Sequence, residues 1–209
     1  LTGSNNLSGN IFGALRMLPN VDAFDATDPT GYNIDNANPR ALGRGVNKDV
    51  ISNGIPNQLF VSNHDVRKST TTRLLGNGYL QARLLEGLTF RTQLGYDGSY
   101  IDDFIYQDAR HGDGYGSTGY LAQYYTPINR WNWQNILSYN TSINDAHNLG
   151  LTLVQEYQKE RSNYFGAIAQ TISDIYFQDN IIAGTYATPN ATGGIAENGV
   201  ILFVHDRPV

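Results

Sequence analysis

The chain of 209 residues contains no cysteine. That excludes disulfide staples and thiolate metal sites, so a zinc site would have to be built from His and carboxylates alone. It does not fix a compartment, because many exported bacterial proteins also lack cysteine. There is no run of ~18 apolar residues, hence no transmembrane helix. A membrane β-barrel stays open, because its signature is only ~10-residue alternating segments. There is no excess of positive charge either. The formal net charge is −5, which argues against a nucleic-acid partner, since that would need a basic patch or stripe. The opening "LTGSNNLSGN" has no initiator Met and no basic-then-apolar signal segment. The closing "ILFVHDRPV" stops a strand-like run soon after it starts. Both ends read as those of an excerpt, and a mature or trimmed chain would explain the front end equally well.

What the sequence does contain is alternation. In "GNGYLQARLLEGLTFRTQLGYD" (76–97), Leu80, Ala82, Leu84, Leu88, Phe90, Leu94 and Tyr96 occupy even positions, while Gln81, Arg83, Thr89, Arg91, Gln93 and Asp97 occupy odd ones. Period two marks a β-strand with one greasy and one wet face. Keeping even residues together across an antiparallel ladder pairs Leu84 with Leu88. That leaves the loop Leu85-Glu86-Gly87, with glycine where such loops need a left-handed residue. A second hairpin follows. Trp131, Trp133, Leu137, Tyr139 and Ile143 share one face of "RWNWQNILSYNTSIN", and Leu149, Leu151, Leu153 and Tyr157 share one face of "NLGLTLVQEYQKER". Matching those faces pairs Ile143 with Leu149 across a five-residue loop, 144–148.

The organisation expected is an all-β, antiparallel meander of long strands from an incomplete transmembrane β-barrel, with long extracellular loops and a short loop helix. Residues 1–72 form a long extracellular-type loop region. Its helix is expected where Ile11, Leu15 and Leu18 share a face after a capping Asn10 and before Pro19. The first hairpin is 73–99, a loop follows at 100–128, and the second hairpin is 129–162. Another loop spans 163–199, with a short helical piece expected around "FGAIAQTISD", and 200–209 begins a further strand or a divergent end. Short turns at one end and long connections at the other are the layout of outer-membrane barrels.

Leu80, Leu84, Leu88, Phe90, Leu94, Trp131, Trp133, Leu137, Leu151 and Leu153 are the expected membrane-facing side chains. Their strand faces carry no Lys, Arg, Asp or Glu between Leu80 and Leu84, Leu88 and Tyr96, Trp131 and Ile143, or Leu149 and Leu153. A cationic side chain at a barrel's bilayer midplane costs about 2–4 kcal/mol. Trp131, Trp133, Tyr139, Tyr96 and Tyr157 are expected towards the long-loop ends, as an interfacial belt requires. A soluble, secreted β-sandwich carbohydrate-binding module would alternate in the same way, and patterning alone does not separate the two.

The order and spacing of several stretches carry a resemblance. "GNIFGALRMLPNVDAFDATDPTGYNI" with "NPRAL" behind it, then "NGYLQARLLEGLTFRTQLGYD", then "NWQNILSYN" leading to "HNLGLTLVQEYQKE" are together similar to the barrel of the SusC/RagA family of TonB-dependent outer-membrane transporters of Bacteroidota. The resemblance spans residues 9 to 200. It implies a 22-stranded barrel around an N-terminal plug, in the outer membrane of a Gram-negative bacterium. It also implies a SusD-like lipoprotein lid, oligosaccharide or peptide cargo, contact with outer-membrane lipid, and import driven by TonB acting through the plug. The chain departs from the family in having no recognisable plug, no TonB-contacting segment and too few strands to close a barrel. The piece is therefore expected not to transport alone.

No catalytic constellation emerges, so no enzyme is expected, and no cofactor or metal. His64-Asp65, His111 with Asp113, and His205-Asp206 are sequence neighbours outside any nucleophile or metal motif, and each reads as a solvated loop residue. Asp97, Gly98, Asp102 and Asp103 lack the calcium-loop spacing, and "RHGDGYGSTG" lacks phosphate-cradle spacing. Asn140-Thr-Ser and Asn190-Ala-Thr match glycosylation sequons only as patterns. The expected cargo contacts are the loop aromatics Tyr100, Tyr106, Tyr115, Tyr120, Tyr124 and Tyr125, since such rings stack on sugars and pack on peptide side chains. Packing against other loops or the lipoprotein is the bland alternative. Arg83 and Arg91, on the wet face, are expected to pair with carboxylates on a plug or on neighbouring strands.

Overall fold

A computed structural model describes residues 10–45, 55–143, 147–172, 181, 195–197 and 200–208. Helix α1 spans Asn10–Arg16 and α2 spans Gln58–His64. The strands are β1 Val66–Leu85, β2 Leu88–Gln107, β3 Tyr120–Ile143, β4 His147–Gln170, β5 Ile195–Glu197 and β6 Val200–Pro208, with a 3₁₀ helix at Gly112–Ser117 between β2 and β3. They form one open sheet in the order β1-β2-β3-β4-β6-β5, so β1 to β4 are a meander of consecutive antiparallel neighbours. β5 and β6 are antiparallel, with Ala196 opposite Ile201. The fold is all-β, as the alternation indicated.

The four long strands exceed the alternating stretches at their loop ends. β1 begins at Val66 rather than 73, β2 runs to Gln107, and β3 starts at Tyr120. Alternation reports where one face of a strand meets an apolar environment, whereas the strand itself continues as long as the backbone ladder does. The helical piece expected around "FGAIAQTISD" does not form in its described residues, 165–172, because β4 continues to Gln170. Ala167 and Ala169 are buried there with period two, and Thr171 leaves the strand at φ +60°. Helix α1 ends at Arg16, before the expected Leu18, and Asn10 is its first residue rather than its cap. Leu15 and Leu18 are both exposed, so no buried stripe develops on them. The second helix, α2, gave no periodic signal.

Gly87 turns the first hairpin at φ +77°. Its carbonyl accepts the Asn140 N–H at 2.8 Å, and a Cβ there would overlap the Asn140 carbonyl oxygen. Both the turn conformation and the close approach of β3 demand glycine. In the second hairpin, His147 already belongs to β4, which narrows the expected five-residue connection to 144–146, outside the described residues.

Two compact units divide the chain. One comprises Leu1–Ser69, Asp102–Tyr124 and Phe165–Val204; the other comprises Thr70–Ile101, Tyr125–Tyr164 and His205–Val209. The first, the loop unit, has a conventional core. Tyr106, Leu121, Ala169 and Ile172 cluster with Phe104 and Ile181 against them. Val21, Ile34, Ala41, Leu42, Ile55 and Phe60 are also buried. Its long N-terminal stretch is built by short-range chemistry. The Asp25, Asp28 and Asp35 carboxylates accept the N–H groups of Thr27, Thr30 and Ala37, and isolated bridges join Phe24 to Tyr32 and Ile34 to Leu42. The second, the strand unit, has no buried hydrophobic side chain among its described residues.

Candidate functional site

In the strand unit the even residues of β1 and β2 and the odd residues of β3 and β4 make one face. None of the ten side chains expected to face membrane is buried; Leu80 is 76% exposed, Leu153 68% and Trp131 45%. No layer formed by the described residues covers them. The large apolar residues of this face run, with no charge among them, over Leu88–Tyr96 on β2, Trp131–Ile143 on β3 and Leu149–Tyr157 on β4. Those are spans of eight to twelve residue steps, roughly 27–41 Å along a strand. At a barrel's ~40° tilt this becomes about 21–31 Å, bracketing the ~25 Å apolar band of outer-membrane barrels. Lys159 and Arg161 follow immediately on β4.

Several polar atoms that interrupt this face are hydrogen-bonded within it, although the buried Asn163 amide oxygen farther along β4 has no partner among the described residues. The Trp133 indole N–H donates to the Thr92 hydroxyl at 2.9 Å. Asn135 donates to the Gln155 side-chain carbonyl at 3.2 Å. The Tyr96 hydroxyl donates to the Asn129 amide oxygen at 2.6 Å and shares a 2.7 Å hydrogen bond with Tyr100, while the Tyr96 ring packs at 4.4 Å from that of Trp131. Sequence reasoning missed Thr92, Asn129, Asn135 and Gln155. Their signal was their parity, because each is a polar residue on the apolar count.

The opposite face carries a row of alternating charges across all four strands. Arg73 on β1 grips Asp97 on β2 with two hydrogen bonds, of 2.8 and 2.6 Å. Arg130 on β3 stands 4.0 Å from Asp97 and donates to Glu160 on β4 at 2.6 Å. Asp97 is therefore an ion-pair partner, not part of a cation loop with Asp102, whose carboxylate accepts from Gln123. Arg91 lies 4.0 Å over the Tyr79 ring and donates to Gln93, and its Nε has no partner among the described residues. Within this chain it meets a ring and an amide, not the expected carboxylate.

The loop unit holds a buried polar cluster. Asn57 caps α2, accepting from Leu59 and Phe60 N–H groups at 3.1 and 3.2 Å. Its amide donates to the Ala23 and Asn33 carbonyls, and its backbone N–H donates to His111 Nε2 at 2.7 Å. His111 Nδ1 lies 2.6 Å from the Pro39 carbonyl, so the neutral tautomer with its proton on Nδ1 satisfies both partners. Burial pushes the His111 imidazole below its ordinary value. The expectation of a solvated loop residue is overturned, since His111 is fully buried and its ring stands edge-on to Phe60. His64, half-buried, stacks on Phe60 at 4.2 Å. Asp65 accepts the Asp108 N–H at 3.0 Å and burial pushes its carboxyl up to about 6. Burial acts to raise Asp108 too, but the Arg110 guanidinium, 2.8 Å away, holds it below the usual carboxylate value. These contacts tie loops together, and no set of three metal-ligating side chains forms among the described residues. His205 and Asp206 lie in β6, and their side chains are outside the described residues, as is the Asn190 sequon.

The six tyrosines separate. Tyr106 is a core residue, closed to any ligand. Tyr100 is half-buried and bonded to Tyr96, whereas Tyr115 and Tyr125 are exposed. Tyr120 and Tyr124 share a hollow, which Arg40, Arg67, Gln107 and Asp113 also line. The glycine-rich stretch forms the 3₁₀ wall of that hollow instead of a phosphate cradle. Gly119, at φ +89°, lets it pack directly against the Ile172 backbone.

No family profile, curated protein or solved structure matches the chain. Its functional reading rests on its own faces.

Proposed function

We propose that the chain is a segment of a SusC-like, TonB-dependent outer-membrane importer of glycan fragments or peptides. It would contribute four barrel strands and parts of the outer loops, and it has no enzymatic role. One observation carries the reading: an exposed apolar run on β2, β3 and β4, uninterrupted by charge and about as tall as a bilayer core, in which Trp133, Asn135 and Gln155 find hydrogen-bond partners on the same face. In water, Asn135 and Gln155 would need no such arrangement. In hydrocarbon, an unsatisfied amide costs several kcal/mol. The charged row on the other face suits a wet lumen. A soluble sandwich would instead bury these leucines under a second sheet, and no such layer exists among the described residues.

A SusD-like lipoprotein over the loops, a plug in the lumen and TonB beneath it are the partners of this reading. Cysteines placed at 80, 82, 88 and 90 of the full-length parent protein in lipid should react with lipid-phase reagents, and cysteines at 81, 83, 89 and 91 should not. Labelling of the odd set instead would overturn the proposal.

A further inference from the structure

The leucine-rich face of the strand unit carries no charge along its apolar run, but the run ends in two cations. Past Tyr157 the next two positions of that face on β4 are Lys159 and Arg161, both exposed. No other strand residue described on this face of the unit is charged, with His147 at the turn end counted as neutral. The carboxylates nearest in sequence, Glu156 and Glu160, take the opposite parity and are engaged there by Asn132 and Arg130. Lys68 and Asp102 share the parity of the leucines on the parts of β1 and β2 in the loop unit, and they cancel. The face therefore keeps two positive charges, set just beyond one end of its apolar run.

The register puts a ring and an amide beside them. The Asn135–Gln155 hydrogen bond aligns β3 with β4. Continuing along these antiparallel strands brings Trp131 beside Lys159 and Asn129 beside Arg161. Trp131 packs on Tyr96 at 4.4 Å between ring centroids. The Tyr96 and Tyr100 hydroxyls converge on the Asn129 amide oxygen, at 2.6 and 3.4 Å, which turns the Asn129 NH2 group to donate elsewhere. Arg161 also interacts within the chain, but its five N–H donors can serve a second partner.

Two cations on alternate residues stand about 7 Å apart along a strand, close enough for both to reach one phosphate group. A soluble anion would meet only two exposed, salt-screened charges there. A lipid adds acyl chains that cover the leucines of the same face.

We propose that Lys159 and Arg161, flanked by Trp131 and Asn129, form a docking site for the phosphate of an anionic lipid at the edge of the apolar run. This rests on the importer reading, which puts the face in lipid, and it adds a partner that import itself does not require.

The test is native mass spectrometry of the full-length parent protein, released from detergent with phosphorylated lipid A, its dephosphorylated counterpart or inorganic phosphate. Cations that merely anchor the band at the interface would not distinguish the two lipids. Phosphorylated lipid A should be retained, and the double variant Lys159→Gln, Arg161→Gln should hold one molecule fewer. Each single Gln variant should weaken that molecule about fivefold, whereas Lys159→Arg should keep it and Lys68→Gln should leave it unchanged. Equal retention in parent and double variant, the same loss with the dephosphorylated lipid or from Lys68→Gln, or inorganic phosphate held as firmly as the lipid would each overturn the site. Both side chains are exposed, so the variants should fold, which circular dichroism checks. Cysteine labelling of the first hairpin is read separately. Intact labelling with no lost lipid removes the docking site alone, and failed labelling removes the importer reading itself.

Discussion

The loop unit and the strand unit solve opposite problems with the same alphabet. In the loop unit, Phe60, Leu121 and Tyr106 are sealed inside, and even the polar Asn57 and His111 are buried with their hydrogen bonds complete. In the strand unit the large apolar side chains point outward, and none of those on the leucine-rich face is buried among the described residues. The loop unit can draw its stability from its own core. The strand unit hydrogen-bonds its backbone internally but must find its apolar partner elsewhere.

The sharpest way to break this comparison is to attack the loop unit where it is most complete. Asn57→Ala removes the α2 cap and one of the two donors to each of the Ala23 and Asn33 carbonyls, which keep the Asn33 and Gly43 N–H groups. Losing a cap and two buried hydrogen bonds should together cost roughly 2–4 kcal/mol. Limited proteolysis of the full chain in detergent should then cut within 20–60, while the hairpin 80–96 stays protected. Simultaneous loss of both would mean that the two units do not melt as separate bodies.

The strand unit can be tested by neighbours on opposite faces. Leu153→Arg places a cation in the middle of the apolar band and should cost about 2–4 kcal/mol in lipid. Thr152→Arg, one residue away on the polar face, should change little. Denaturant midpoints of both variants refolded into vesicles decide it, and equal midpoints would contradict a hydrocarbon-facing band.

Acidity separates two buried groups of the loop unit. Asp65, raised to about 6 by burial, keeps its proton in the fold where the unfolded chain has lost it. Its contribution is complete below the ordinary carboxylate value and gone above pH 6. His111, lowered by burial, behaves oppositely. Its contribution is present above the ordinary imidazole value and is lost as pH falls through its folded value. Asp65→Asn should therefore stabilise the unit above pH 6, by about 2 kcal/mol, and make no difference near pH 3.5. Chemical denaturation across pH 3.5–8 reads both trends, and an Asn variant that tracks the parent at every pH would show that Asp65 pays no burial cost.

Legibility in the sequence also divided by region. Alternation disclosed the central parts of all four strands, and Gly87 disclosed the first turn, because a face meeting an apolar phase writes its period into the chain. The strand ends 66–72, 100–107 and 120–128 were invisible for two reasons: 66–72 is exposed on both faces, and in the other two the packing leaves no clean period of two, since Leu121 and Ala122 are buried side by side. The loop unit was the least readable. Asn57 and His111 are 54 residues apart, and nothing local tells a histidine that clamps three loops from one in solvent. The ion-pair row was hidden for the same reason, since Arg73 and Asp97 meet only once the hairpin register is known.

The smallest effects should come from the ion pairs, and they sharpen the contrast because the same chemistry sits in two settings. Arg73 is 60% exposed and its partner Asp97 is accessible as well. Exposed pairs gain little and are screened by salt, so Arg73→Gln should leave the melting of the strand unit unchanged within error. Arg110 is accessible too, but its partner Asp108 is almost wholly buried. Arg110→Gln leaves that carboxylate with only the Arg110 backbone N–H, a loss of about 1 kcal/mol after allowance for solvent around the guanidinium. Raising salt to 1 M should erase any Arg73 effect and preserve most of the Arg110 one. Equal, equally salt-sensitive losses would mean that the two units present the same dielectric surroundings to their charges, and the contrast between a self-sealed unit and an outward-facing one would fail at the level of electrostatics.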